Sequence, residues 1–246
     1  MKIACVSDIH GNYEALKTVF EDISTYGVDF ILCGGDIVGY YPNPIKCIKI
    51  VRKQCQYIIR GNHDEVVTSP DFNNQINWFN PYARKSLQWT RNRLYRQDNQ
   101  AYFDFLASLS TQKEIILEDF KVILAHGTPE KPWEYFIYPF WADKPPFEYE
   151  LRIDRWFKSW DLVIIGHTHQ AFIYKSKISS KTLLNPGSVG QPRDFNPKAS
   201  YAILDINKSK IQAQIVRIEY PISETCKSIA EASLDDYLCE RLYLGR

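Results

Sequence analysis

The chain lacks the signatures that place a protein in several large classes. Its six cysteines form no CxxC pair, which argues against a zinc ribbon or a thioredoxin-like redox pair. No apolar run approaches the length of a membrane span. Behind Met1-Lys2, the run Ile3-Ala4-Cys5-Val6 is too short for the apolar centre of a secretory signal. No sign of charge dominates. The 30 Lys+Arg face 29 Asp+Glu for a net charge of +1, so no general nucleic-acid or membrane footprint is expected and any anion must be recognised locally. Repeats and low-complexity stretches are missing too. Cys5 and Cys33 fall inside apolar runs and read as buried, reduced thiols. Together these features point to a cytoplasmic protein.

The 246 residues, 45% hydrophobic and 24% charged, suit a globular chain with a sizeable core, read here as one domain over 1–246. Histidine is scarce at five, and all five sit in loop-like settings beside glycine, carboxylate or amide. His10 lies in Ser7-Asp8-Ile9-His10-Gly11-Asn12, His63 in Arg60-Gly61-Asn62-His63-Asp64, and His126 in Leu124-Ala125-His126-Gly127. His167 and His169 share Gly166-His167-Thr168-His169. Histidine is a common metal ligand and proton carrier near neutral pH, so this concentration points to one site.

Five short apolar runs each lead into one of these residues. Ile3–Val6 runs into Asp8, Phe30–Cys33 into Asp36, Tyr57–Ile59 into Asn62, Val122–Leu124 into His126 and Leu162–Ile165 into His167. Such glycine-bounded runs read as buried strands. A helix is predicted over 12–26 with Asn12 as cap, ending before Gly27, and another over 43–54 with Asn43 as cap and Pro44 in its first turn. The spacings Asp8 to Asp36 (28 residues) and Asp36 to Asn62 (26) suit successive βαβ units. Ligands bind beyond the carboxyl ends of strands in such sheets, so the five polar ends are expected to converge. Further helices are predicted from Pro81 through about 97 and from Asp98 through Leu109, with two strands over 112–126, hairpins over 171–184 and 200–217, and a helical tail over 221–246 broken near Ser233. The stretch 129–160, with eleven aromatic residues including Trp133, Tyr135, Phe136 and Trp156 and five prolines, reads as a loop-rich insertion beside the site. Its rings are either a local core that anchors a long loop, the favoured reading for most of them, or a cap that stacks a planar part of a substrate.

Asp, His and Asn ligands without thiolate suit a borderline divalent metal: manganese, iron, zinc, cobalt or nickel. Seven candidates, Asp8, His10, Asp36, Asn62, His126, His167 and His169, are too many for one catalytic ion that must keep open positions. They suit two ions about 3.5–4 Å apart that share a carboxylate.

The blocks Asp8-Ile9-His10, Gly35-Asp36, Gly61-Asn62-His63-Asp64, His126 and Gly166-His167-Thr168-His169 resemble, in order, those of the calcineurin-like metallophosphoesterase superfamily. Asp8-Ile9-His10-Gly11-Asn12 and Asn185-Pro186-Gly187-Ser188-Val189-Gly190-Gln191-Pro192-Arg193-Asp194 are similar to its small stand-alone prokaryotic members. The resemblance implies an α/β (α+β) fold, a four-layer αββα sandwich of two mixed sheets flanked by helices. It implies that Asp8, His10, Asp36 and His169 hold one ion, that Asp36, Asn62, His126 and His167 hold the other, and that a hydroxide between them attacks phosphorus. His63 would protonate the leaving oxygen as general acid, with Asp64 orienting and charging its imidazole.

The expected substrate is a small phosphorylated molecule, a phosphodiester or a nucleotide polyphosphate. The alternatives are a phosphomonoesterase acting on phosphoprotein or a small metabolite, and a non-catalytic scaffold on the same fold. The unbroken ligand set argues against the scaffold. Arg193 follows a loop punctuated by glycine and proline and is either a bidentate phosphate contact or a plain surface arginine. Asn12 and the amide of Gly11, at a helix start, are candidate aids to a phosphate.

Overall fold

The structure, a computed structural model, describes residues 1–137, 147–176, 179, 181–208 and 210–246. The chain opens as β1 (Lys2–Val6), α1 (Tyr13–Ile23), β2 (Phe30–Cys33), α2 (Pro44–Gln54), β3 (Tyr57–Ile58) and α3 (Asn62–Thr68). Local chemistry sets these boundaries. The Asn12 side chain accepts the Ala15 amide at the start of α1, a short 3-10 turn over Ser24–Tyr26 extends that helix, and Gly27 ends it in the left-handed region at φ 60°. Pro44 occupies the first turn of α2, where its missing N–H costs nothing.

Next come α4 (Phe72–Gln75), α5 (Pro81–Leu94) and α6 (Gln100–Ser108). Asn80 caps α5 by accepting the Ala83 amide. The helix expected from Asp98 begins two residues later, because a 3-10 turn over Gln97–Asn99 intervenes and puts Asn99 at the cap position. The rest is β4 (Gln112–Leu117), β5 (Phe120–Ala125), α7 (Phe147–Ser159), β6 (Leu162–Ile164), β7 (Phe172–Lys175), β8 (Thr182–Asn185), β9 (Ala199–Asn207), β10 (Lys210–Ile218), α8 (Ile222–Glu231) and α9 (Tyr237–Leu244).

The strands form two mixed five-stranded sheets, in the orders β10-β9-β1-β2-β3 and β4-β5-β6-β8-β7. The pairs β1–β2, β2–β3, β5–β6 and β6–β8 are parallel, whereas β9 runs antiparallel to β1 and to β10, β4 to β5, and β7 to β8. Side chains alternate across each strand, and the alternation builds the layers. In β1, Ile3 and Cys5 face the second sheet and pack with Leu124 and Ile164, while Ala4 and Val6 face helices and pack with residues such as Leu16, Ile48 and Leu87. On the outer face of the second sheet, Ile123, Val163 and Leu183 meet Ile153, Trp156 and Phe157 of α7. The result is the four-layer αββα sandwich. Burying a side chain such as Ile3 contributes about 1.5–3 kcal/mol, so this alternation fixes which way each sheet faces.

The loop-rich reading of 129–160 is corrected for its second half. Residues 147–159 are the amphipathic helix α7, whose buried Ile153, Trp156 and Phe157 follow the i, i+3, i+4 spacing. The dense aromatics and prolines just before it hid that period. Phe136 joins the same core, whereas Tyr138, Phe140 and Trp141 lie outside the described residues.

The last two helices fold back onto the helical layer of the first sheet through Ile229, Leu238 and Leu242. A disulfide between Cys226 and Cys239 joins them, and nothing in the local sequence pattern announces it. Cys5, Cys33 and Cys47 are buried free thiols. Among the described residues, no helix is long and apolar enough to cross a membrane.

Candidate metal centre

Beyond the carboxyl ends of β1 and β2, the two strands keep pairing as loops. The amides of Asp8, His10 and Gly11 donate to the carbonyls of Gly35, Asp36 and Ile37 at 3.0, 2.8 and 2.9 Å. Within this zipper Asp8, His10 and Asp36 adopt φ of 53°, 54° and 51°, and across the site His167 and His169 adopt 66° and 60°. Left-handed backbone at non-glycine residues costs roughly 1–3 kcal/mol each and persists only where the surroundings enforce it. Here it turns five polar side chains inward. Space for them is made at Gly61, where an added Cβ would lie 2.1 Å from Asp36 Oδ1.

The seven candidate ligands converge. Ligand atoms of Asp8, His10, Asp36 and His169 lie within 4.8 Å of one another, and so do those of Asp36, His126 and His167. Asp36 belongs to both groups. Its Oδ2 lies 3.5 Å from His10 Nε2 and 3.4 Å from His126 Nε2. Asn62 Oδ1 joins the second group at 3.1 Å from His126 Nε2.

Backbone carbonyls set the imidazoles. His10 Nδ1 faces Val38 O at 3.3 Å, His126 Nδ1 faces Gly34 O at 2.8 Å and His169 Nδ1 faces Gln191 O at 2.6 Å. A proton on each Nδ1 leaves Nε2 aimed into the centre, the arrangement that orients metal-binding histidines. The loop that supplies Gln191 is itself stapled in place. Ser188 Oγ donates to Asp8 O at 2.6 Å, and Asn185 Nδ2 donates to Gly166 O at 3.0 Å. The block Asn185–Arg193 thus holds both ligand loops, a role that its turn-like composition does not announce.

The electrostatics leave a buried centre short of positive charge. Burial resists ionisation of Asp36, but the neighbouring His126 and His63 hold its carboxyl well below the usual range. Burial likewise opposes the charge on Asp8, and His169 brings its carboxyl down. His126 is the cationic imidazole. Burial works against its charge, yet the Asp36 carboxylate, its hydrogen bond and the Asp8 charge push it up to about 10. Burial lowers His10 and His169, and takes His167 down to about 3.

Three observations fit divalent cations. Two carboxylates face one imidazolium. His10 Nε2 and His169 Nε2, both lone-pair bearers, stand 3.0 Å apart. His167 Nε2 is buried without a hydrogen-bond partner. An unpartnered buried acceptor is costly, and a cation satisfies it.

His63 stands apart from both groups. Its amide donates to Asp36 Oδ1 at 2.8 Å, which ties the first turn of α3 to the shared carboxylate. Its ring packs against Tyr40, His10 and Phe79 at centroid distances of 4.8, 4.6 and 5.1 Å. Burial lowers it to about 4, the Asp36 carboxylate opposing and Arg193 reinforcing the shift.

The expected Asp64–His63 pairing is corrected. Asp64 turns away and accepts the amides of Val38, Ile37 and Gly61 at 3.0, 3.1 and 3.1 Å, while His63 Nδ1 has no hydrogen-bond partner. At the third position of α3, Asp64 reaches back to the helix start in the manner of a capping box, and this holds the β2 loop to α3. Burial and the Asp36 charge push its carboxyl up to about 7, against three backbone hydrogen bonds that lower it.

Asn12 is also corrected. Its buried amide donates to Gly190 O and Tyr220 Oη and accepts from Ala15 N and Thr225 Oγ1, so the side chain is consumed inside the fold. The Gly11 and Asn12 amides are spent on Ile37 O and Ile9 O. Arg193, by contrast, reaches the site. Its guanidinium donates to Gln191 Oε1 at 2.8 Å and to the hydroxyls of Tyr40 and Tyr135 at 3.2 and 3.5 Å, and its charge is felt by His10, His63 and His169. Tyr135 in turn lies against the His167 ring at 4.0 Å. A cleft of about 260 Å³ opens here, lined by His63, His167, Tyr40, Trp78, Trp133 and Tyr135 among others. Tyr40 and Trp78 carried no sequence signal beyond being aromatic.

A shared carboxylate between two histidine-bearing groups, set where the strands of a two-sheet sandwich end, marks a metal-centre protein of the phosphoesterase kind. Residues 1–209 match the calcineurin-like phosphoesterase superfamily domain, and the chain belongs to that superfamily. It is 36% identical to an uncharacterized protein of Methanocaldococcus jannaschii, covering 99% of this chain and 98% of that one. The crystal structure of a metallophosphoesterase from Sphaerobacter thermophilus matches with 32% identity and a TM-score of 0.76, over 100% of this chain and 99% of that one. A hypothetical protein from Pyrococcus horikoshii shares the fold with a TM-score of 0.84 at 22% identity, over 100% of this chain and 98% of that one.

Proposed function

We propose that the chain is a dinuclear metal-dependent phosphoesterase that hydrolyses a small phosphodiester or nucleotide polyphosphate. The observation that carries this reading is the sharing of Asp36 between two groups of converged ligand atoms. Asp8, His10, Asp36 and His169 would hold one ion, and Asp36, Asn62, His126 and His167 the other. When bound, such ions act as Lewis acids on a phosphoryl oxygen and lower the pKa of water.

The remaining chemistry belongs to side chains. His63 Nδ1 is pressed against Gly39, where an added Cβ would lie 2.2 Å away, so Nε2 is the nitrogen free to reach a substrate in the cleft. There it gives a proton to the leaving oxygen. Burial lowers His63 to about 4 in the free protein, so a phosphate anion beside it has to favour the protonated imidazole before it can donate. Arg193 has one Nη1 N–H that is not spent on Gln191, Tyr40 or Tyr135, and offers it with the guanidinium charge to a phosphate oxygen. Tyr135, lying tilted against the His167 ring, helps keep bulk water from the second group.

The test is reconstitution with manganese or another borderline divalent ion, followed by assay on bis(p-nitrophenyl) phosphate, p-nitrophenyl phosphate, cyclic nucleotides and dinucleoside polyphosphates. Diester or polyphosphate turnover is expected, with His63→Ala keeping its metal content while kcat falls by about 10²–10⁴-fold. A metal-loaded wild type that is inactive on every ester overturns the reading, and a preference for the monoester replaces the substrate class.

A further inference from the structure

The cleft beside His63 is aromatic on its walls and almost uncharged. Two of its rings are occupied, since Tyr40 and Phe79 pack on His63. Three others are open to solvent: Trp78 is 82% exposed, Tyr135, one side of which lies against His167, 56% and Trp133 38%. Tryptophan is seldom so exposed, and a group of such rings around one cavity marks a binding surface. Among the described residues, no lysine or arginine lines the cleft. Its carboxylate, Glu65, is ion-paired with Arg60 at 2.7 Å. A chain of further phosphates entering here would meet no lysine or arginine of the described lining. Gln75 adds an amide to the same lining, able to donate to and accept from the edge of a heterocycle.

We infer that this cleft binds a planar, uncharged nucleobase carried on the group that leaves from phosphorus. The inference rests on the proposed phosphoesterase reading, because His63, which borders the cleft, is the residue assigned to protonate the leaving oxygen. It narrows the substrate from phosphodiesters and polyphosphates at large to diesters whose leaving alcohol is a nucleoside. The ring lies against Trp78, with Trp133 and Tyr135 on the remaining wall, and Arg193 is left for the phosphate.

The experiment titrates adenosine, a nucleoside without phosphate, into the metal-loaded protein and follows tryptophan fluorescence and calorimetric heat. Saturable quenching is expected, weakened about tenfold in Trp78→Ala, in line with base–aromatic stacking at other single-strand sites. Ribose 5-phosphate is expected to leave the quench unchanged. Trp78 is so exposed that its replacement leaves the core intact, and a matching thermal midpoint checks this. Trp133→Ala provides a second variant in the same lining. Failure of adenosine to bind at millimolar concentration, or wild-type affinity in both variants, overturns the inference. Turnover of bis(p-nitrophenyl) phosphate on the same preparation separates the two readings. Turnover without adenosine binding removes the base-binding cleft alone. Adenosine binding without turnover of any ester overturns the phosphoesterase reading, and with it the leaving-group assignment.

Discussion

Gly39→Ala is expected to disable His63 without touching a metal ligand. Gly39 has φ of 102°, and an added Cβ would stand 2.2 Å from His63 Nδ1, 3.0 Å from Cγ and 3.3 Å from Cβ. Ordinary carbon contacts begin at about 3.5 Å, so the ring has to move by roughly 1 Å or more. It has little room. Tyr40, His10 and Phe79 hem it in, and its amide is anchored on Asp36 at 2.8 Å. A misplacement of about 1 Å in a reacting group costs about 10²-fold in rate, and complete loss of a general acid sets the ceiling near 10⁴-fold. Kcat on a diester is therefore expected to fall by about 10²–10⁴-fold while metal content by elemental analysis stays at the wild-type value. Backbone strain adds a stability loss of about 1–3 kcal/mol, read as a lower thermal midpoint. Gly27→Ala is the control for strain alone, because Gly27 is also left-handed at φ 60° but has nothing within 4 Å of the added methyl. It should lose stability and keep its kcat. A Gly39→Ala enzyme with full metal content and wild-type kcat refutes both the placement of His63 and its assigned role.

Three other outcomes follow from the geometry. The metal-free His126, pushed up to about 10, carries a proton at neutral pH that a metal ion must displace. Its pairing with Asp36 stabilises the metal-free fold fully below the unfolded value of about 6.5, and that contribution is lost as pH rises through about 10. Metal binding between these limits should release a proton and tighten with rising pH, which calorimetry in buffers of different ionisation heat will read; binding without proton release contradicts the assignment. Arg193→Ala is expected to lower kcat/KM for phosphate esters by about 10–100-fold, the worth of a charge-assisted hydrogen bond, with metal content unchanged. Arg193→Lys should not restore it, since the planar fork is lost; wild-type kinetics in either variant removes the phosphate role. The Cys226–Cys239 disulfide closes a loop of sequence separation 13, worth about 3 kcal/mol in chain entropy, so Cys226→Ser should unfold at lower denaturant with kcat nearly unchanged. An unchanged midpoint shows that the link adds nothing to the fold.

Much of the centre was legible because its signals are local. A glycine-bounded apolar run is a strand whether or not its partner is known, and Asp8, Asp36, Asn62, His126 and His167 each end or follow such a run. Caps at Asn12 and Asn80 and the proline in the first turn of α2 act within a few residues. Asp64 departs from the sequence expectation for the opposite reason. A carboxylate beside a histidine in sequence resembles a catalytic pair, yet on a helix the two side chains diverge, and three backbone amides from two loops claimed this one. Asn12 was likewise claimed by Tyr220 and Thr225, more than two hundred residues away along the chain.

By itself the sequence determined the strand ends, the residue types placed on them and the superfamily, because alternation, caps and ordered short motifs depend on neighbours along the chain. Only the tertiary structure decided which side chains meet: the two groups joined at Asp36, the isolation of His63 against Gly39, the recruitment of Arg193 by tyrosine hydroxyls, the burial of α7 and the bridge between Cys226 and Cys239. Those outcomes depend on hydrogen bonds and packing between residues distant in sequence, whose geometry no local pattern encodes.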